Sequence, residues 1–462
     1  MCNKSDELFG SNTVKKCIYL IMLIMSVKKL FAAAVAVIMA SMTIEARQSL
    51  VDDHIDSMVM SRKIITIDGQ PSRSQAYMDS IYELIKGFYY DQFRHFQDPD
   101  APYFLFMSKD AQLAMGIGGC VRMRGYYDWG GAIPASGFAP YLIPMDPEPT
   151  KMRNFDTTPA GTCLFFRVIG RNKTLGYYQL YIEANFNGYN SRGFELKKAY
   201  ALINDFTIGY ANSTFSDPAA TPPTVDAQGP NNKISPTAVL VRWMPKVKDH
   251  WTFALSGETP APQIGADGQY AAKCNKWMPD WAAFAQYEWQ RGQHVRVAGI
   301  LRTLSYRNLV KEQNHNIAGW GVQLSSVAHP LPQLTTYLNV SYGHGYESLG
   351  GDLLIGNYDL VADTSEPGKL YAPAAYGWSV GLQYNFTHSI FASVTASQSR
   401  YCPKGTVAPQ EYRHGEFYAV NAFWNLTPRM QVGVEFDLGC RMDFSGESRW
   451  ARRIGAMAQF SF

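Results

Sequence analysis

Beyond its first few dozen residues the chain has no long hydrophobic run. No segment after residue 46 stays apolar for the ~18 residues a membrane-crossing helix needs, and mean hydropathy is −0.19 although 46% of residues are hydrophobic. A helical membrane protein is excluded, which leaves a soluble β protein or a transmembrane barrel. An excess of one charge is also missing. Residues 1–46 carry five lysines and three acids, so 42 basic and 39 acidic residues become 37 and 36 without them. That balance implies no nucleic-acid partner. Cysteine is sparse: Cys120, Cys163, Cys274, Cys402 and Cys440 follow the first 46 residues, odd in number, widely spaced and without a CxxC. Neither a zinc site nor a disulfide framework is indicated. Cys402 and Cys440 both fall near expected outer loops and are a candidate pair, with scattered thiols the plainer reading. The sequence has no HExxH, GxSxG or phosphate-loop pattern. His294, His315, His329 and His344 lack metal-ligand spacing. No enzyme activity, cofactor or metal is expected.

Aromatic residues, by contrast, are plentiful, at 28 Tyr, 25 Phe and 10 Trp. A soluble domain would struggle to bury them all, whereas a barrel uses them as girdles at the two membrane interfaces. The N-terminus reads as an export leader over 1–46. Met25 is followed by Lys28 and Lys29, an apolar stretch from Leu30 to Ala40, and small or polar residues to Ala46. Met25 is the expected true start. Residues 47–110 read as a periplasmic helical extension. Pro71 and a Ser72-x-x-Gln75 capping pattern open a helix that runs to Phe96, and Asp98-Pro99-Asp100-Ala101-Pro102 stops it.

From residue 111 to 462 the pattern changes to period two, in stretches of about ten residues, the length of a tilted membrane strand. In the clearest, Tyr178, Leu180, Ile182, Ala184 and Phe186 share one face, against Tyr177, Gln179, Tyr181, Glu183 and Asn185. Polar residues on the second face mean a wet interior. A soluble sandwich would instead turn its apolar face inward. Sixteen such stretches are predicted, near 117–128, 163–171, 176–187, 194–203, 205–212, 236–245, 250–259, 280–290, 294–304, 316–327, 334–345, 376–386, 389–400, 415–426, 429–440 and 451–462. Short turns alternate with long connections at 129–162, 213–235, 260–279, 305–315, 346–375 and 401–414. The expected fold is all-β: a sixteen-stranded antiparallel transmembrane β-barrel with a wet lumen. The last stretch alternates Ile454, Ala456, Ala458, Phe460 and Phe462 on one face, which places Phe462 at the periplasmic rim beside Gly119 to Met123.

The connection after the fifth strand is the most specific. Lys197-Lys198-Ala199-Tyr200, Ile208-Gly209, Asn212-Ser213-Thr214-Phe215, Asp217-Pro218, Thr224-Val225-Asp226 and Gly229-Pro230-Asn231 follow in order. This run resembles the DcaP-like outer-membrane porins, which carry there a basic strand, a (W/N)STF segment, a D-P turn and a D-x-x-GPN close. The motifs cover 194–242 and the architecture 111–462. The chain departs in showing Asn212 where the family usually has Trp. The resemblance implies a homotrimer in the bacterial outer membrane, with an N-terminal periplasmic helical extension, passing small anionic solutes.

Strand parity supplies the candidate pore lining. Arg122, Arg124, Arg167, Lys197, Arg242, Arg296 and Arg302 each belong to a strand whose other face is apolar, and parity points them inward. Pointing outward, each would cost roughly 2–4 kcal/mol at mid-membrane depth. Arginine stays charged and forks onto carboxylates, so such a cluster suits anions. These side chains have an alternative use, bracing the barrel against Glu183, Glu258, Glu288 or Glu435. The Pro-rich loop is too long for a hairpin. Folded inward, it brings Asp217, Asp226 and Asn231 to a constriction, although each Asp equally suits capping its own loop. The expected function is a diffusion porin for small hydrophilic, preferentially anionic solutes. The rival is a structural or adhesive outer-membrane barrel whose outer loops bind a ligand.

Overall fold

A computed structural model describes residues 63–66, 92–98, 102, 104–108, 112–131, 133–172, 174–187, 193–247, 250–260 and 269–462. The expected leader (1–46) and the expected helix from Ser72 up to residue 91 lie outside them. Where that helix was to end, turns at Gln92–Phe93 and Phe96–Gln97 flank irregular Arg94 and His95. The other described parts of 47–110 include two short strands. Phe104–Met107 takes the edge of the first barrel strand that the last leaves free, with Leu105 opposite Gly116. Lys63–Thr66 pairs parallel to it.

The barrel is closed, antiparallel and sixteen-stranded. Its strands are β1 Leu113–Trp129, β2 Cys163–Asn172, β3 Gly176–Asn185, β4 Glu195–Ile203, β5 Phe206–Asn212 and β6 Thr237–Trp243. Then come β7 Trp251–Pro260, β8 Asp280–Gln290, β9 Gln293–Asn308, β10 Gln313–Leu331 and β11 Leu334–His344. The circuit ends with β12 Ala374–Asn385, β13 Ile390–Cys402, β14 Tyr412–Thr427, β15 Met430–Asp443 and β16 Ser448–Ser461. Each overlaps one of the sixteen predicted stretches. β16 closes on β1, with Ser461 opposite Cys120 and the Phe462 amide bonded to the Gly119 carbonyl at 3.0 Å. One connection was misjudged. β9 and β10 run past the expected loop at 305–315 and leave 309–312, because their pairing continues to Asn308 opposite Gln313.

Alternation sets the two surfaces. On β1, Ile117, Val121 and Met123 are exposed while Arg122 and Arg124 are buried; on β15, Val434 and Phe436 alternate with buried Glu435 and Asp437. An apolar outside around a polar inside is the inverse of a soluble fold and the requirement of a barrel in lipid. All five described cysteines are free, including Cys402 and Cys440. Those two sit on β13 and β15 with β14 between them and four residues out of register, so more than two strand spacings, about 10 Å, separate them, beyond disulfide reach. Cys120 and Cys163 do face each other across β1 and β2, with 3.4 Å between sulfurs.

Candidate functional site

Residues 213–236, after β5, fold into the lumen. The loop is almost wholly buried, and each of the three polar residues singled out within it is tied down. Asp217 accepts hydrogen bonds from Ser325 (2.5 Å) and is 2.9 Å from His294 Nε2, with Arg296 at 3.6 Å. Burial alone would raise its carboxyl, but Arg296 and His294 hold it far below the ordinary carboxylate range. Asp226 caps its own loop through the Gln228 and Gly229 amides and also accepts from the Phe138 amide and Arg453. Asn231 donates to Asp352 and to the Gly415 carbonyl and accepts from Ser397. The wall answers in kind. Glu435 receives the amides of Val225 and Asp226, and Glu258 that of Thr214.

The loop lies against β10 to β15. A Cβ on Gly381 would sit 2.4 Å from the Pro222 side chain, one on Gly377 2.6 Å from Asn232, and one on Gly321 3.0 Å from Phe215. Glycine is needed there because the loop backbone approaches the sheet without room for a side chain. Ser393 and Asn421 donate to the Pro223 carbonyl from the same wall.

All seven basic residues chosen by parity face the lumen. Arg122, Arg124, Arg167, Arg242, Arg296 and Arg302 are buried, and Lys197 is half-buried. Many are engaged. Arg124 donates to the carbonyls of Val225 and Ala160, Arg122 to Gln459, and Arg167 to Gln179. Arg242 donates to the Asn212 carbonyl and Arg296 to that of Ser216. Arg302 is paired with Asp280 and Asp359. Lys197 is shared between Asp98 and Glu183. Of the acids expected as partners, Glu183 pairs with these lysines, whereas Glu258 and Glu435 hold the loop.

Several lumen residues were not legible beforehand. Lys198 points inward beside Lys197 because β3 and β4 shift register at Glu183 and Ala184, and a bulge breaks the period-two rule. Residues 92–98 enter the barrel. The Phe93 ring lies 4.0 Å from the Arg242 guanidinium, and Gln97 bonds the carbonyls of Thr224 and Asp226. The expected helix gave no hint of this. A cavity of about 660 Å³ remains on the side of β2 to β8 and the short turns after β6 and β8, lined by Arg167, Lys198, Arg242, Lys246 and Arg291 with Glu288 as its acid.

A closed sixteen-stranded barrel, apolar outside and polar inside, with an inward loop after its fifth strand, has the architecture of bacterial outer-membrane porins. Among solved structures the chain is similar to the outer membrane channel DcaP of Acinetobacter baumannii. Identity is 18% and the TM-score 0.65, over 77% of this chain and 99% of that one. It is also similar to an anion-selective porin from Comamonas acidovorans, at 9% identity and a TM-score of 0.52, over 76% of this chain and all of that one. No family model and no curated protein sequence matches the chain. The resemblance to DcaP-like porins noted at Asn212 to Asn231 extends to the fold.

Proposed function

We propose that this protein is an outer-membrane porin through which small hydrophilic solutes diffuse passively, anions in preference to cations. One observation carries the reading: the cavity beside β2 to β8 is lined by five Lys and Arg side chains and a single Glu. In a confined lumen with low-dielectric walls, such an imbalance focuses a positive potential and enriches anions. Of the seven parity-selected basic residues Arg167 and Arg242 line this cavity, the other five bracing the wall, the loop or residues 92–98, and Asp217, Asp226 and Asn231 hold the loop that narrows the passage. The anion selectivity named for the Comamonas acidovorans porin agrees with this reading. Assembly as a homotrimer in outer-membrane lipid belongs to the same proposal and rests on the family resemblance. Catalysis has no part in it, since solute passage needs no bond made or broken. The test is a planar-bilayer recording under a salt gradient. An anion-directed reversal potential is expected. A cation-directed one overturns the preference, and absence of conductance overturns the pore.

A further inference from the structure

The outer face of the barrel wall is apolar, so a charge that points away from the lumen needs a reason. By strand parity Arg307, Arg400, Arg153 and Arg452 point outward, near the rim opposite the short turns. Two of them are served within the chain. Arg307 donates to Asn314 at 3.1 Å and Arg400 to the Tyr376 hydroxyl at 3.5 Å. Arg153 and Arg452 are exposed and make no side-chain hydrogen bond or ion pair among the described residues.

The free pair lies in one row. Arg452 on β16 is opposite Trp129 on β1, and Trp129 is opposite Arg153 on the short strand Arg153–Thr158, which continues the wall above β2. Opposed residues share a face, so two guanidinium groups flank one indole, their Cα atoms about 10 Å apart across two strand spacings. Neighbouring rings hold that indole, with the Tyr127 and Phe436 centroids 5.9 and 6.0 Å from its own. Among the described residues, no Asp or Glu takes an outward position on β15, β16, β1 or the short strand.

The depth of the row fits a lipid headgroup. Below Arg452 the outward ladder of β16 is Ile454, Ala456, Ala458 and Phe460. From Arg452 to Phe460 is about 27 Å along the strand and about 20 Å along the axis at the usual tilt, close to the height of the apolar band. Arg452 and Arg153 therefore stand at the upper edge of that band, where aromatic side chains such as Trp129 and Trp450 belong. An amphiphile lying on this surface sets its acyl chains on the ladder and its polar end on the arginines.

We propose that Arg153, Trp129 and Arg452 form a binding site for an outer-leaflet lipid whose headgroup carries two phosphates. Each guanidinium forks onto one phosphate, the geometry arginine suits better than lysine. The indole between them keeps the two groups from converging on a single phosphate. This site depends on the barrel and its membrane and is independent of the solute that the lumen passes.

The probes are dansyl-labelled lipid A with two phosphates and its monophosphoryl form. Each is titrated into the full chain in neutral phosphatidylcholine vesicles and read by energy transfer from tryptophan. Heat-modifiable migration on a gel confirms that each variant is a folded barrel. Arg153→Gln/Arg452→Gln is expected to weaken binding of the bisphosphoryl lipid about ten-fold or more, the scale of losing two charge-assisted contacts. Arg307→Gln/Arg400→Gln removes the same charge from the same rim and should leave affinity within about two-fold. Monophosphoryl lipid should bind the unaltered protein more weakly than the bisphosphoryl form. Equal affinity in the unaltered protein and the first variant overturns the site, and if that variant has lost its oligomer the row is a contact between copies. Equal losses in both double variants overturn it in favour of general attraction to anionic lipid. Equal binding of the two lipids overturns the two-phosphate assignment. Displacement by inorganic phosphate at the concentration of the lipid overturns the lipid as the source of the phosphate.

Discussion

Two halves of the lumen wall differ in what they carry. From β1 to β9 the inward faces hold Arg122, Arg124, Arg167, Lys198, Glu183, Arg242, Glu258, Asp280, Arg296 and Arg302, all buried. From β10 to β14 the buried inward positions hold Gln323, Ser325, Asn339, Ser379, Thr395, Ser397 and Asn421, with no Lys, Arg, Asp or Glu among the described residues. The inward loop packs closely on the second half and reaches the first through Arg124, Glu258, His294 and Arg296, and the cavity opens on the first. A wall to be covered by polypeptide must accept dry contact. Glycines, hydroxyls and amides do so at small cost, whereas a covered and unpaired charge would cost several kcal/mol. The charges of the first half are buried as well, but they are paired, as Arg302 is with Asp280 and Asp359, or meet the loop through its own polar groups, as Arg296 meets the Ser216 carbonyl.

That contrast can be broken most severely by exchanging the chemistries. Ser393→Lys puts a charge under the loop where a hydroxyl meets the Pro223 carbonyl. Loss of about 3 kcal/mol or more is expected, read as a lower barrel melting temperature with little change in the reversal potential of the folded fraction. Gly381→Val tests the close approach alone. With Pro222 2.4 Å from the new Cβ, overpacking should cost about 1–3 kcal/mol and expose 213–236 to added protease. Arg242→Gln probes the other half. Arg242 lines the cavity, so the anion-to-cation permeability ratio should fall about two- to five-fold, the range of a change under about 1 kcal/mol in local potential. A shift of equal size from Gln383→Arg on the neutral half would erase the distinction.

The smallest effect concerns pH. Asp352, in the connection between β11 and β12, accepts from Asn231 and from the Tyr412 hydroxyl and so ties that connection to the inward loop. Burial pushes its carboxyl up to about 7 despite those bonds. The folded value lies above the unfolded one, so its contribution is fully present below the unfolded pKa and is lost as pH rises through about 7. Protection of the 226–234 amides, with exchange corrected for its intrinsic rise with pH, should fall as pH rises from about 4 to about 7 and level off above that, and Asp352→Asn should flatten the response.

Legibility followed range. Each of the sixteen strands and the inward aim of Arg122, Arg124, Arg167, Arg242, Arg296 and Arg302 could be read from neighbouring residues, because side chains alternate and lipid penalises the wrong face. Lys198 escaped because a bulge at Glu183 and Ala184 depends on how two strands pair. The loop motif marked Asp217, Asp226 and Asn231, but nothing local named His294, Glu435, Arg453 or Asp352 as what they touch. Asn231 and Asp352 are 121 positions apart in the chain. Phe93 was assigned to a helix outside the barrel and Asp98 to the segment that stops it, since their partners on β4 and β6 leave no periodic trace.

By itself the sequence determined the barrel: its class, its strand number and which face of each strand meets lipid. Those follow from a two-residue repeat imposed along the strand by the bilayer. Tertiary structure alone decided where the loop meets the wall, which arginines spend their donors on loop carbonyls, and that residues 92–98 enter the lumen. Such contacts join positions that become neighbours when the sheet closes, and closure brings them together by geometry rather than by any pattern within one stretch of chain.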